Sequence, residues 1–246
     1  YWATSGRLGM DAAFSEDQIK IGRRLATKLL NVTRFVLGFP DPPAGATATD
    51  PIDRAMLARL AGVVEAATAD FDGYDHARAL ERTESFFWWF CDDFVELVKS
   101  RAYGARGAEG ASSAGVALRQ ALATLQVLLA PFLPFVTEEV WSWWRDGSIH
   151  TEHWPDPASL RVGEAVDDTG LELTSVVLGQ IRRAKTSAKL SQRAAVDRVA
   201  LRGAAGDLAA LEIGLADLQE AGSIGEITTE PGEGPLEVLI VLADAS

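Results

Sequence analysis

The feature that most constrains this chain is the spacing of its apolar residues. Over the first two thirds they recur at intervals of three and four, the period of an α-helix that turns one face to a core. Between Asp17 and Leu37, Ile21, Leu25, Leu29, Val32 and Val36 fall at steps of 4, 4, 3 and 4, and Gly38 and Pro40 stop the pattern. Residues 39–48, rich in Pro, Gly, Ala and Thr, predict a loop. Asp50-Pro51 has the form of an N-cap followed by proline at the first helical position, and it opens a second helix to about Ala69. A third helix is predicted from about Tyr74 to Arg101, with Leu80, Thr83, Phe87, Phe90, Phe94 and Val98 on one stripe. Residues 104–114, rich in Gly, Ala and Ser, predict a flexible connection. A fourth helix follows over about Ala117–Leu129, and Pro131 and Pro134 break it before a fifth reaches Trp144. A series of amphipathic helices with short joints predicts a mainly α fold, an antiparallel helical bundle.

The character changes after Trp154-Pro155. The expected organisation is a helical bundle over 1–155, a linker over 156–170 and a small α+β module over 171–246. In the module the pattern predicts a helix from about Leu171 to Leu190, a strand at Val196–Leu201 and a helix at Asp207–Ala221. Strands follow at Ser223–Thr229 and Leu236–Leu242, and the Pro/Gly-rich residues 230–235 read as a hairpin connection between them. The bundle is expected to fold without the module, with proteolysis falling first in 104–114 or 156–168. The 246 residues are 48% hydrophobic, which suffices for a real core. One cysteine excludes an intramolecular disulfide and a multi-cysteine zinc site. No apolar run approaches the ~20 residues of a membrane-spanning helix, so no membrane role is expected. Tyr1-Trp2-Ala3 begins inside an apolar phrase with no initiator methionine, so the chain reads as part of a longer polypeptide.

A net charge of −12 argues against nucleic acid as a partner, unless positive charge is gathered locally. Here it is gathered. Residues 16–37 carry a local +3 from Lys20, Arg23, Arg24, Lys28 and Arg34, and residues 182–202 carry a local +6 that includes Arg182, Arg183, Lys185 and Lys189. Basic stripes on an acidic body fit a protein that takes nucleic acid on one face. On the first helix Arg24, Lys28, Asn31 and Phe35 step by 4, 3 and 4 and form a stripe beside the buried one. Cations for phosphates, an amide for base edges and a ring for a base face suit unpaired nucleotides. The alternatives are a solvated helix face for the cations and a core-capping role for Phe35.

Four phrases in order resemble valyl-tRNA synthetases, a class I aminoacyl-tRNA synthetase family. They are TKLLNVTRFVLG (27–38), ARALERTESFFWWFCDDFVELVKSRAYG (77–104), LLAPFLPFVTEEVW (128–141) and SIHTEHWP (148–155); QIRRAKTSAKLS (180–191) is looser. The resemblance implies the anticodon-binding region of a valine–tRNA ligase, whose ATP- and magnesium-dependent catalysis belongs to an upstream domain. This chain would then carry no catalytic site and need no cofactor of its own. It also implies valine tRNA and that upstream domain as partners; a monomer is expected, and the lack of a targeting signal in the chain points to cytoplasmic residence. By resemblance, Phe35 stacks on an anticodon base and Lys28 approaches a base or backbone. Asn31 and Arg34 also match the Lys-Leu-x-Asn-x-x-Arg-Phe pattern, with structural roles open to both, Arg34 pairing with Asp92 or Asp93. Phe90, Asp93 or Phe94 would line the anticodon pocket, and Arg182, Arg183, Lys185 and Lys189 would meet the tRNA backbone. Leu30 stands where many relatives carry Trp, and Asp17 where some carry an arginine.

Other residues carry simpler expectations. Cys91 is expected in the core. His150 and His153 lack a third metal ligand and are expected to dock their turn onto the body, and Trp141, Trp143, Trp144 and Trp154 to close the bundle core. The near alternatives are the same region of an isoleucyl- or leucyl-tRNA synthetase; the distant one is a helical protein-interaction module without an RNA role.

Overall fold

The structure, a computed structural model, describes residues 1–7, 9, 13–161, 163 and 167–243. Parts of the expected organisation therefore lie outside the described residues: 8 and 10–12 of the bundle, 162 and 164–166 of the linker, and 244–246 of the module.

The first helix, α1 (Glu16–Leu37), starts where Ser15 accepts a hydrogen bond from the Gln18 N–H, with Glu16 and Asp17 in the first turn and Arg34 in the last. That charge order complements the helix dipole. Leu25, Leu29, Val32 and Val36 are buried as their spacing requires, each worth roughly 1.5–3 kcal/mol of transfer free energy. Helix α2 (Pro51–Asp72) opens on Asp50, whose carboxylate accepts from the Ile52 N–H. The third apolar stripe belongs to one continuous helical path, divided into α3 (His76–Trp89), a π-helical turn (Phe90–Phe94) and α4 (Val95–Ala102). Leu80, Thr83, Phe87, Phe90, Phe94 and Val98 are all at most 2% exposed.

Helix α5 (Gly107–Leu129) starts ten residues earlier than expected and absorbs most of the segment read as a flexible connection. The reason is Ser113. Its buried hydroxyl accepts from the Thr49 and Asp50 N–H groups at 3.0 and 2.9 Å and donates to Asp53 at 2.6 Å. Small residues there reflect close packing rather than freedom. Helix α6 (Pro134–Trp141) follows the proline break, and Ile149–Thr151 and Pro157–Leu160 form single 3-10 turns. The turn at 149–151 is fixed to α6 by Glu138, which accepts from Ser148 and the Ile149 N–H. Trp141 is buried and Trp144 packs edge-on to it, whereas Trp143 and Trp154 are over a third exposed and lie on the surface.

The C-terminal part comprises α7 (Thr169–Ser187), β1 (Val196–Gly203), α8 (Ala205–Leu211), α9 (Leu215–Gly222), β2 (Ile224–Pro231) and β3 (Glu237–Leu242). The helix expected over Asp207–Ala221 is two short ones, interrupted around Ile213-Gly214. The expected hairpin of the last two strands is absent as well: the sheet order is β2-β1-β3, with β1 parallel to β2 and antiparallel to β3. Residues 232–236 instead carry the chain past the end of β1, where the Gly232 N–H bonds the Gly203 carbonyl. The fold as a whole is mainly α, a helical bundle followed by a small α+β module.

A buried ionic network ties the two together. Arg101, at the end of α4 and 0% exposed, donates through both terminal nitrogens to Asp53 of α2 at 2.7 and 2.8 Å, and through Nε to Asp217 of α9 at 3.0 Å. Arg106 adds a bond to Asp217 at 3.1 Å. The two carboxylates hold the Arg101 guanidinium charged against the opposing cost of its burial.

Candidate nucleic-acid interface

A groove of about 210 Å³ runs between α1 and the π turn with the start of α4. Its walls carry Lys28, Asn31 and Phe35 from α1, facing Cys91, Val95 and Glu96. The stripe read from α1 is thus assembled on one wall, while Arg24 stays exposed one turn nearer the helix start. The opposite wall comes from residues the α1 spacing could not name. Cys91 and Val95 are four apart, so one face of that helical path delivers both, and Lys99, four further on, reaches the Phe35 ring. That second stripe, running beside the buried one, was the available signal.

Each polar group has a defined neighbour. Lys28 Nζ donates to Asp92 Oδ1 at 2.6 Å and lies 6.0 Å from the Trp88 ring centre. The Phe35 ring meets the edge of Phe39, with centroids 5.0 Å apart, and Lys99 Nζ sits over it at 5.1 Å. Phe35 therefore keeps partial exposure while being held in place. Asn31 is exposed toward the groove, with no side-chain hydrogen bond among the described residues. Burial pushes the Cys91 thiol well above its ordinary range, so the groove floor is an inert, apolar surface.

Phe90 and Phe94 do not line this groove. Both are 0% exposed and stack on each other inside the core, so neither ring offers a face to a base; this corrects the expectation for both. Their spacing from Phe87 and Val98 is that of the buried stripe, and burial follows from it. Asp93 is half-buried and bound by Arg182 Nη1 at 2.8 Å; burial pushes its carboxyl up, with the nearby guanidinium opposing. Arg34 pairs with neither aspartate but lies over the Trp143 ring, 5.9 Å from its centre.

The +6 segment divides. Arg183 and Lys189 are exposed, but Arg182 is spent on Asp93 and on the Asp92 carbonyl, the latter at 2.6 Å. Lys185 is 1% exposed and donates to the Gln192 and Gly222 carbonyls at 3.0 and 2.8 Å, so it is a structural cation and not a phosphate ligand. Its position on α7, four from Ile181, puts it on the buried face.

The sequence profile of the anticodon-binding domain of tRNA ligases matches residues 53–201. That is more than half the chain, and the chain belongs to this family. Among curated proteins it is 51% identical, over 98% of its length, to the valine–tRNA ligase of Salinispora arenicola (strain CNS-205), of which it covers 30%. It is 52% identical over its whole length to the valine–tRNA ligase of Thermobifida fusca (strain YX), covering 28% of that protein. With the valine–tRNA ligase of Bifidobacterium longum (strain NCC 2705) it shares 41% identity over 91% of its length and covers 27%. The chain thus spans under a third of the length of these relatives. The family profile begins inside α2, so the α1 wall of the groove is covered by the longer matches and not by the profile.

Proposed function

We propose that this chain is the tRNA-recognising part of a valine–tRNA ligase and that the α1 groove receives unpaired anticodon bases. The observation that carries this reading is that Lys28, Asn31 and Phe35 share one groove of a domain belonging to the anticodon-binding family. A half-exposed ring accepts a base face, an amide reads a base edge, and an ammonium meets a phosphate or an acceptor atom. Arg24, Arg183 and Lys189, exposed on the surface, are proposed to meet the RNA backbone. Asp93 acts on the groove only through Arg182. Relatives named for valine favour that amino acid over isoleucine or leucine.

The attachment of valine to tRNA, with ATP and magnesium, belongs in this reading to a part of the polypeptide before Tyr1, and catalysis is not assigned to these residues. The proposed organisation is an anticodon-binding helical bundle over 1–155, a linker over 156–170 and a small α+β module over 171–246. A monomer acting in the cytoplasm completes the reading; no helix among the described residues is long and apolar enough to cross a membrane.

The test is a binding titration of the full-length ligase with valine tRNA and with the same tRNA carrying a non-valine anticodon. Stacking on an aromatic contributes about 1–3 kcal/mol per base, so Phe35→Ala should weaken the valine complex by about that much and erase most of the preference. Lys28→Ala should also lower the preference. Equal weakening of both tRNAs, or none, would remove the groove from the anticodon site.

A further inference from the structure

The helical path from His76 to Ala102 is regular except at Phe90–Phe94, where it widens into a π turn. Such turns are less well hydrogen-bonded than an α-helix and concentrate at functional sites. Two cations from opposite sides converge on this one. Lys28 of α1 bonds the Asp92 carboxylate at 2.6 Å, while Arg182 of α7 takes the Asp92 main-chain carbonyl at 2.6 Å and the Asp93 carboxylate at 2.8 Å. A regular α-helix would aim the Asp92 carbonyl along the axis at the N–H four residues on; here it is reached by the guanidinium. Asp92 is therefore held at both ends, its backbone by Arg182 and its side chain at Lys28.

We propose that Asp92 is a specificity-determining residue of the RNA groove and that Arg182 is the positioning residue that keeps it there. This rests on the reading that the groove receives tRNA bases. An uncovered ammonium binds any phosphate, and every nucleotide of every RNA supplies one. With Asp92 in contact, the cation and the carboxylate nearly cancel, and an approaching phosphate meets a like charge. A phosphate can only accept hydrogen bonds, so it satisfies Lys28 and is repelled by Asp92. A base edge carrying an acceptor beside an N–H donor satisfies both at once. The pair thus excludes backbone and admits a base edge, a repulsive element added to an attractive one. Lys28 and Asp92 side chains are 31% and 55% exposed, so RNA reaches both without unfolding anything.

The experiment measures affinity of the full-length ligase for valine tRNA and for its non-valine-anticodon counterpart across a salt series. Asp92→Asn should tighten the mismatched complex roughly three- to fivefold, the scale of a partly exposed ion pair. It should leave the valine complex unimproved, and the dependence of log affinity on log salt should steepen by about one ion. Asp92→Glu, which keeps the charge, should restore most of the discrimination. Arg182→Gln should lower discrimination without flattening the salt slope, and Arg182→Lys should recover part of it; circular dichroism checks that the helix content of each Arg182 variant is unchanged. The proposal is overturned if Asp92→Asn leaves ratio and slope unchanged, or weakens both tRNAs alike, while Phe35→Ala still erases the preference. A flattened slope in Arg182→Gln would make that arginine a phosphate ligand and overturn its positioning role. If Phe35→Ala also leaves the preference intact, the anticodon reading fails first and the role of Asp92 falls with it.

Discussion

At the scale of single residues, charge identity predicts less than burial does. Lys185 belongs to the most basic segment of the chain, yet it is 1% exposed and binds two carbonyls. Removing it leaves the buried Gly222 carbonyl unpaired, at about 1–3 kcal/mol, so Lys185→Met should lower the urea midpoint and leave the salt slope of tRNA binding unchanged. The pH dependence has a definite sign. Burial, with Arg182 adding to it, holds the Lys185 ammonium below its ordinary 10.5. In the window between the depressed folded value and 10.5 the unfolded chain binds more protons than the folded one. Stability contributed by this group therefore rises with pH there, and the midpoint gap between wild type and Lys185→Met should widen as pH approaches 10.5. Cys91 is the converse case, a groove residue made unreactive: its buried thiol is held well above the ordinary range. A thiol reagent at neutral pH should label it only in denaturant, and prompt labelling of the native chain would show a groove floor more open than this structure.

At the scale of elements, periodicity carried most of the fold. The stripe of α1 from Leu25 to Val36 and that of the α3–α4 path are buried where their spacing places them, Ile21 near the helix start only partly so, and Asp50-Pro51 starts α2, because each rests on local geometry that three or four residues encode. What escaped the sequence depended on partners far along the chain. Residues 107–114 look like a flexible joint in composition, but Ser113 meets Thr49, Asp50 and Asp53 more than fifty positions away. The π turn is invisible to a 3.6-residue period, and the far wall of the groove shows only as a second stripe beside the buried one. The near wall was legible because it lies on a single helix. The Ser113 contacts give an expected outcome: Ser113→Ala leaves the buried Asp53 carboxylate and two partly exposed backbone N–H groups short of a partner, a loss of about 1–3 kcal/mol. Chemical denaturation measures it, and native-state proteolysis of the wild type should spare 107–114.

At the scale of the whole molecule, the bundle and the C-terminal module share a charge network and are not energetically separate. Arg101 is neutralised from two directions, by Asp53 within the bundle and by Asp217 within the module. A chain ending at residue 155 keeps Asp53 but loses Asp217, and with it the cover over the end of α4. Arg101 thereby loses one of its two carboxylate partners, and the bundle loses the packing of α9 against α4. The truncated chain should therefore unfold at a markedly lower urea midpoint than the whole. Asp217→Asn in the whole chain should reproduce part of that loss, although Arg101 and Arg106 both lose a charged partner in it. Truncation also removes Arg182, the clamp on the π turn. The shortened protein should then discriminate less between valine and mismatched tRNAs even under conditions where it remains folded, although α7 supplies no wall of the groove. Equal midpoints for the truncated and whole chains would mean that the Arg101 network adds no coupling. Unchanged discrimination in a folded truncation would separate the module from the groove altogether.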